Sequence, residues 1–262
     1  MIKFFEKFPE ILAVMSTRED GNMKLNFDGK GSVNDNRKKF CEKNRIAENS
    51  VISALLDHGD NIKIVHQNHL PRFVPKCDGL ISMDENVFLS ITAADCYPVL
   101  FYDPVARIIS LIHVGWRGAV SGIISKTIGY NLIKGCDQAN LRAEVGPGIC
   151  QNHFEFNRTD LCKLGTHNDA KYYYCGPGGK AFIDIKKIIF SEIARHGVLE
   201  RNIKFSPECT YCLPEKYFSY RRDGKNSKGQ VDAMMIVFGM KDAKVKEKAK
   251  LILAEEECPS FA

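Results

Sequence analysis

The side chains with the most chemical reach are a cysteine and a histidine that a turn brings together. In "ADCYPVLFYDPVARIISLIHVGW" (residues 94 to 116) two apolar runs flank Asp103–Pro104. Proline presets the backbone for the second position of a turn, so the segment predicts a β-hairpin. A four-residue loop at 103–106 pairs Tyr102 with Arg107 and sets Cys96 opposite His113. A five-residue loop shifts the pairing by one residue, and in both registers the two Cβ atoms lie roughly 5 to 8 Å apart. Pro98 predicts a bulge that adjusts their aim.

A thiol beside an imidazole admits three chemistries. It is a packed cysteine next to a satisfied histidine, a nucleophile whose proton the imidazole draws, or two ligands of a metal site. A metal needs further donors, and "HQNH" supplies His66 and His69. In extended chain these two point to opposite faces, so at most one of them joins the site. One cysteine with two histidines leaves a tetrahedral position open, as in catalytic zinc. The same set is the trigonal set of a blue-copper centre. A four-copper oxidase needs more imidazoles than seven ungrouped histidines provide, which makes copper the weaker reading. Asp95 is placed to orient an imidazole or to cap a turn.

The elements that must hold these groups alternate along the chain. "NIKIVHQ", "VFLSITAAD", "VLFYD", "RIISLIHV", "NLRAEV" and "DAMMIVFGM" predict strands, and "KYFSYRRDG" predicts a strand leading to a turn. "GAVSGIISKTIGYNLIKGC" and "IDIKKIIFSEIARHGV" predict amphipathic helices that close on glycine. Hairpins mixed with helices imply an α+β fold, a single domain over residues 1–262 with mixed β-sheets flanked by helices.

Composition narrows the class. A net charge of +5 with scattered basic residues points away from nucleic acid, the "KDAKVKEKAK" run reading as a solvated helix face. The charged residues that interrupt the first twenty positions leave no signal peptide, and no apolar stretch is long enough to span a membrane. The expectation is a cytoplasmic protein that binds neither membrane nor nucleic acid. Ten cysteines in 262 residues are sparse for a disulfide scaffold and read as reduced thiols, Cys150 among the core ones.

"CDGLIS", "ITAADCYPVLFYDP", "HVGWRG", "VGPGIC" and "FSYRRDG" occur in one order with consistent spacing. As an ordered set they resemble the YfiH-like or laccase-domain family, also described as polyphenol oxidase, peptidoglycan editing factor and multifunctional purine nucleoside phosphorylase. The resemblance runs from about residue 14 to about residue 240. It implies metal ligands at Cys96 (the T-A-D-C motif), His113 (H-A-G-W-R-G) and, through Gln67 and His69 as a match to Q-V-H-G, His69, all three forming the catalytic centre. It also implies substrate contacts from Arg18 in "STR", Asn26 in "LNF", Arg37 in "DNR" and Arg117. The segment between Asn26 and Arg37 is shorter than the family's, and Gln230 stands where relatives carry an arginine.

The function so implied is zinc-dependent phosphorolysis of adenosine, inosine, guanosine or methylthioadenosine to the base and ribose 1-phosphate, with deamination of adenosine. Purine nucleoside and phosphate are the expected partners. Arginine forks suit phosphate, with Arg18, Arg37, Arg117 and the Arg221–Arg222 pair available. Asp95, Glu144, Glu155 and Asp184 are candidate acids or bases by type alone. Gly115 permits close backbone passage and Trp116 a wall for the site. The rival functions are a peptidoglycan-precursor editing amidase, a copper-dependent polyphenol oxidase and a non-catalytic zinc-stabilised interaction module.

Overall fold

The computed structural model describes residues 1–25, 32–224 and 231–241. Its fold is α+β, with mixed sheets, as the alternation of elements implied. One six-stranded sheet runs in the order Ile2–Phe4, Ile11–Met15, Met234–Met240, Phe88–Ala93, Val51–Leu55, Phe73–Pro75. A second runs Ile203–Phe205, Arg142–Val145, Tyr97–Asp103, Ile108–Val114, Gly79–Ser82, Ile62–Ile64. A small three-stranded sheet joins Glu155–Asn157, Lys180–Ile183 and Tyr173–Cys175.

The two large sheets pack face to face. Leu100, Tyr102, Ile109 and Leu111 of the second sheet meet Ile52, Leu89, Ile91, Ile236 and Phe238 of the first in one core. The alternate residues Val99, Phe101, Ile108 and Ile112 turn the other way, onto the helices Ile123–Ile133 and Ile185–Arg195. On the far side of the first sheet, Phe40 and Cys41 of the helix Ser32–Lys43 pack on Val14, Met235 and Val237. The layering explains why the hairpin strands are apolar almost without alternation, since all seven residues of each are buried.

The hairpin forms as its turn chemistry predicts, in a different register. Asp103 accepts the N–H groups of Val105 and Ala106 through Oδ1, at 2.8 and 3.0 Å, and that of Asp137 through Oδ2. These bonds draw Asp103 into the ladder opposite Ile108, so the loop is 104–107 and His113 pairs with Pro98. The register is continuous and carries no bulge at Pro98. Relative to the expected pairing the shift is two residues, which preserves the face of every side chain.

Two local expectations are corrected. The single helix predicted over 118–136 is two, Trp116–Ser121 and Ile123–Ile133, because Gly122 takes a left-handed φ of 83° between them. "KYFSYRRDG" is not a strand: Tyr220–Asp223 is a helical turn capped by Ser219, whose hydroxyl accepts the Arg222 N–H. The "KDAKVKEKAK" segment lies, past Lys241, outside the described residues. Among the described residues no helix is long and apolar enough to cross a membrane.

The sheet core leaves no slack at Gly239, which pairs with Phe88 in the ladder. A Cβ built there runs into the Phe88 ring. Gly239→Ala is expected to destabilise the fold by about 1–3 kcal/mol, read as a lower urea midpoint at unchanged m-value.

Candidate active site

The open end of the hairpin supports the site. With His113 opposite Pro98, the extended line of pairing sets Cys96 across from Gly115, diagonal to His113 on the same face. A Cβ at Gly115 would lie 2.9 Å from Cys96 Sγ, so glycine there makes room for the thiol. Cys96 and His113 are close enough to act on each other electrostatically. The expected proximity therefore survives, as a diagonal rather than a direct pair.

Asp78, the acid of "CDGLIS", is fully buried beneath this pair. Its Oδ1 lies 3.3 Å from His113 Nδ1, an ion-pair contact without the alignment of a hydrogen bond. Its carboxylate also accepts the backbone N–H groups of Asp57, His58 and Gly59, at 3.3, 2.9 and 2.9 Å. Its carbonyl accepts the His113 N–H at 2.8 Å. One side chain thus shapes the 57–59 loop and orients the imidazole on the next strand. Burial works against ionisation of Asp78, and His113 with the loop N–H groups outweighs it, holding the carboxyl below its usual range. Burial by itself would lower His113, yet Cys96 and Asp78 push it up to about 9.

The loop that Asp78 gathers delivers His58. Its ring meets that of His113 edge to face, centroids 5.0 Å apart, and burial together with the His113 charge depresses its pKa. His58, Cys96 and His113 line one cavity of about 760 Å³. His69, the expected third ligand, does not line it. The reason is strand direction. Ile62–Ile64 lies parallel to Gly79–Ser82, Ile62 level with Gly79 and hence with Ile112. The chain before Ile62 is therefore beside His113, and the chain after Ile64 runs toward the hairpin turn. His69 sits in a tight turn there, its N–H donating to the His66 carbonyl, and the exposed His66 faces Asp84 at 3.5 Å. A sequence signal for His58 existed: "DHG" carries the His-Gly of Q-V-H-G, with Leu56 and Asp57 in place of its first two letters.

The cavity opens between the two large sheets, walled by Ser53–Leu56 and Ser90–Ala94 on one side and the hairpin end on the other. Trp116, Phe154 and Tyr220 supply aromatic surface, and Lys24, Arg37, Arg117 and Arg221 supply positive charge. Arg37 is buried, donating to the Met23 carbonyl at 3.0 Å and the Ser53 hydroxyl at 2.7 Å. No carboxylate among the described residues pairs with it, and burial pushes it down to about 10. Arg117 stacks over Trp116, 4.6 Å from the ring centroid.

Other expected residues lie elsewhere. Arg18 does not line the cavity: it pairs with Asp223 at 2.8 Å and lies over Phe218, because the Tyr220–Asp223 turn brings that acid to it. Arg222 holds the carbonyls of Thr210, Tyr211 and Tyr217. Asn26 and Gln230 are outside the described residues. Of the four candidate carboxylates only Asp95 faces the cavity, and both its oxygens are taken, by Thr210 Oγ1, Ser219 Oγ and the Arg221 N–H. Glu144 accepts from Phe5 N, Asp184 caps a helix and Glu155 pairs with Lys180.

One cluster escaped the sequence reading. Cys150, His153, Cys209 and Cys212 present ligand atoms all within 4.8 Å of one another, so Cys150 is no plain core thiol. A Cys3His cluster of this kind could hold a metal. Its signal was the C-x2-H and C-x2-C spacing, 59 residues apart between Cys150 and Cys209.

Two six-stranded sheets with a cysteine–histidine cavity at one end place the protein in a known structural class. The family described as "Multi-copper polyphenol oxidoreductase laccase" matches residues 15–238, and the chain belongs to it. A Streptomyces coelicolor protein named purine nucleoside phosphorylase SCO2081 is 29% identical over 196 residues, 75% of this chain and 79% of that one. A protein from an unknown prokaryote named adenosine deaminase RL5 is 31% identical over 153 residues, 57% of this chain and 58% of that one. The match to a mouse protein named purine nucleoside phosphorylase LACC1 spans only 37% of that relative. Among solved structures, Bacillus licheniformis YfiH superposes with a TM-score of 0.81 at 25% identity, covering 90% of this chain and 95% of that one.

Asp78→Asn keeps the shape but removes the charge that His113 and three N–H groups require. It is expected to lower stability by about 3 kcal/mol in chemical unfolding, the scale of a broken buried ion pair.

Proposed function

We propose that the protein is a zinc-dependent purine nucleoside enzyme that carries out phosphorolysis and also deaminates adenosine. The supporting observation is that one cavity joins a thiol and two imidazoles to a buried guanidinium and an aromatic wall. The volume of about 760 Å³ suits a nucleoside. The names of the relatives SCO2081 and RL5 point the same way.

The donor set fits zinc on chemical grounds. Cys96, His113 and His58 would hold it in place of the expected His69 set, with Asp78 as the carboxylate that orients His113 from behind. Three protein ligands leave the fourth position for substrate or water, the arrangement of catalytic zinc. Zinc bound there would supply Lewis acidity to the base or to water. Two of the seven histidines line the cavity, too few for the clustered centres of a multi-copper oxidase.

The chain's own groups account for the rest. Arg37, with Arg117, Arg221 and Lys24, would bind phosphate, since a guanidinium fork takes two oxygens and no carboxylate among the described residues forms an ion pair with the buried Arg37. Trp116, Phe154 and Tyr220 would take the purine by stacking. In phosphorolysis a phosphate oxygen bonds C1′ as the C1′–N9 bond breaks, the electron pair leaving with the purine. In deamination water replaces the 6-amino group and ammonia departs.

The test feeds adenosine, with and without phosphate, to zinc-loaded protein and follows adenine, inosine and hypoxanthine by chromatography. His58→Ala and Cys96→Ala are expected to lose more than about 100-fold in rate, while His69→Ala keeps it. Arg37→Gln is expected to raise KM for phosphate about tenfold or more. No turnover by the wild type, or loss in His69→Ala with His58→Ala active, would reject the reading.

A further inference from the structure

We propose that Cys150, His153, Cys209 and Cys212 form a second, structural zinc site that clamps two loops behind the cavity. The four ligand atoms lie within 4.8 Å of one another. His153 Nδ1 is 3.2 Å from Cys150 Sγ and 3.4 Å from Cys212 Sγ. Zinc bonds of about 2.3 Å to sulfur and 2.0–2.1 Å to nitrogen give tetrahedral edges of about 3.6 Å for S···N and 3.8 Å for S···S. Small adjustments convert one arrangement into the other.

Both halves carry the local turns that zinc sites use. Residues 151–153 form a single helical turn in which His153 N donates to the Cys150 carbonyl at 3.1 Å. Across the gap, the Cys150 N–H donates to Cys209 Sγ at 3.2 Å, a bond that favours the thiolate a metal requires. The His153 ring is stacked on Tyr211 at 4.1 Å between centroids, and its carbonyl accepts from Arg221. Three sulfurs and one imidazole are soft donors that select zinc, and four protein ligands leave no open position. That separates this centre from the three-ligand site at Cys96.

The clamp has a mechanical consequence. Ile149, beside Cys150, donates its N–H to the Asp95 carbonyl at 2.9 Å. Thr210, beside Cys209, donates its hydroxyl to Asp95 Oδ1 at 2.6 Å. Asp95 holds a left-handed φ of 88° and precedes Cys96. Tying the two loops together therefore fixes Asp95 from both sides, and with it the aim of the Cys96 thiol.

The experiment uses the full chain expressed in zinc-supplemented medium, with elemental analysis and zinc X-ray absorption. Cys96→Ala isolates the proposed site, and is expected to retain about one zinc per chain with a three-sulfur, one-nitrogen shell. Adding Cys212→Ser should remove that zinc and lower the thermal midpoint, whereas adding the alternative ligand Cys212→His should retain it. A folded Cys96→Ala protein without zinc would overturn the proposal. So would zinc that persists unchanged in Cys96→Ala/Cys212→Ser, an iron–sulfur spectrum, or thiol counting that finds a disulfide among the three cysteines. None of these readouts needs nucleoside turnover. An inactive wild type with a sulfur-rich zinc would support this site while rejecting the proposed activity.

Discussion

A fully buried carboxylate governs the working end of this molecule. Isolating Asp78 from water is costly unless its charge is met, and here three consecutive backbone N–H groups and an imidazole meet it. The same bonds that stabilise the charge bend residues 57–59 into their turn, with His58 at a left-handed φ of 58°. They also set the orientation of His113 on a strand remote in sequence. Loop, strand and ring are consequences of one electrostatic requirement.

The scaffold around that charge is rigid for a separate reason. The hairpin strands lie in the middle of a sheet that is covered by a second sheet on one face and by helices on the other. Every residue from Tyr97 to Asp103 and from Ile108 to Val114 is buried, so the hairpin cannot slide without exposing a whole face. Catalytic geometry benefits from supports of this kind, since small displacements of positioned groups are expensive in rate. Apart from the buried Arg37, which projects from the middle of the helix Ser32–Lys43, the cavity's charged and aromatic members come from loops and element ends, where a side chain can change without disturbing the core.

Two groups of cysteine and histidine side chains lie near the Asp95–Cys96 segment, Cys96 with His58 and His113 in one and Cys150, His153, Cys209 and Cys212 in the other. The set at Cys96 faces a cavity with positive charge across from it. The set at Cys150 gathers its four ligand atoms within 4.8 Å of one another, with Cys209 buried and Cys212 exposed. Asp95 stands between them with both carboxylate oxygens occupied, which explains why a carboxylate facing the cavity is a positioning residue rather than a free base.

The sequence by itself determined the α+β class, the Asp-Pro hairpin and the closeness of Cys96 and His113. These follow from short-range rules: turn residues, apolar periodicity, and a side-chain alternation that survives a two-residue change of register. It did not place His58, because a nearby "QNH" matched the motif as well as "DHG" did, and only the parallel direction of Ile62–Ile64 separates the two ends of that strand. Nor did it join Cys150 and His153 to Cys209 and Cys212, or give Asp95 its partners at Thr210 and Ser219. Those contacts span more than fifty residues of chain, and their geometry exists only once the sheets have packed and the loops have been pulled together by the buried charges they enclose.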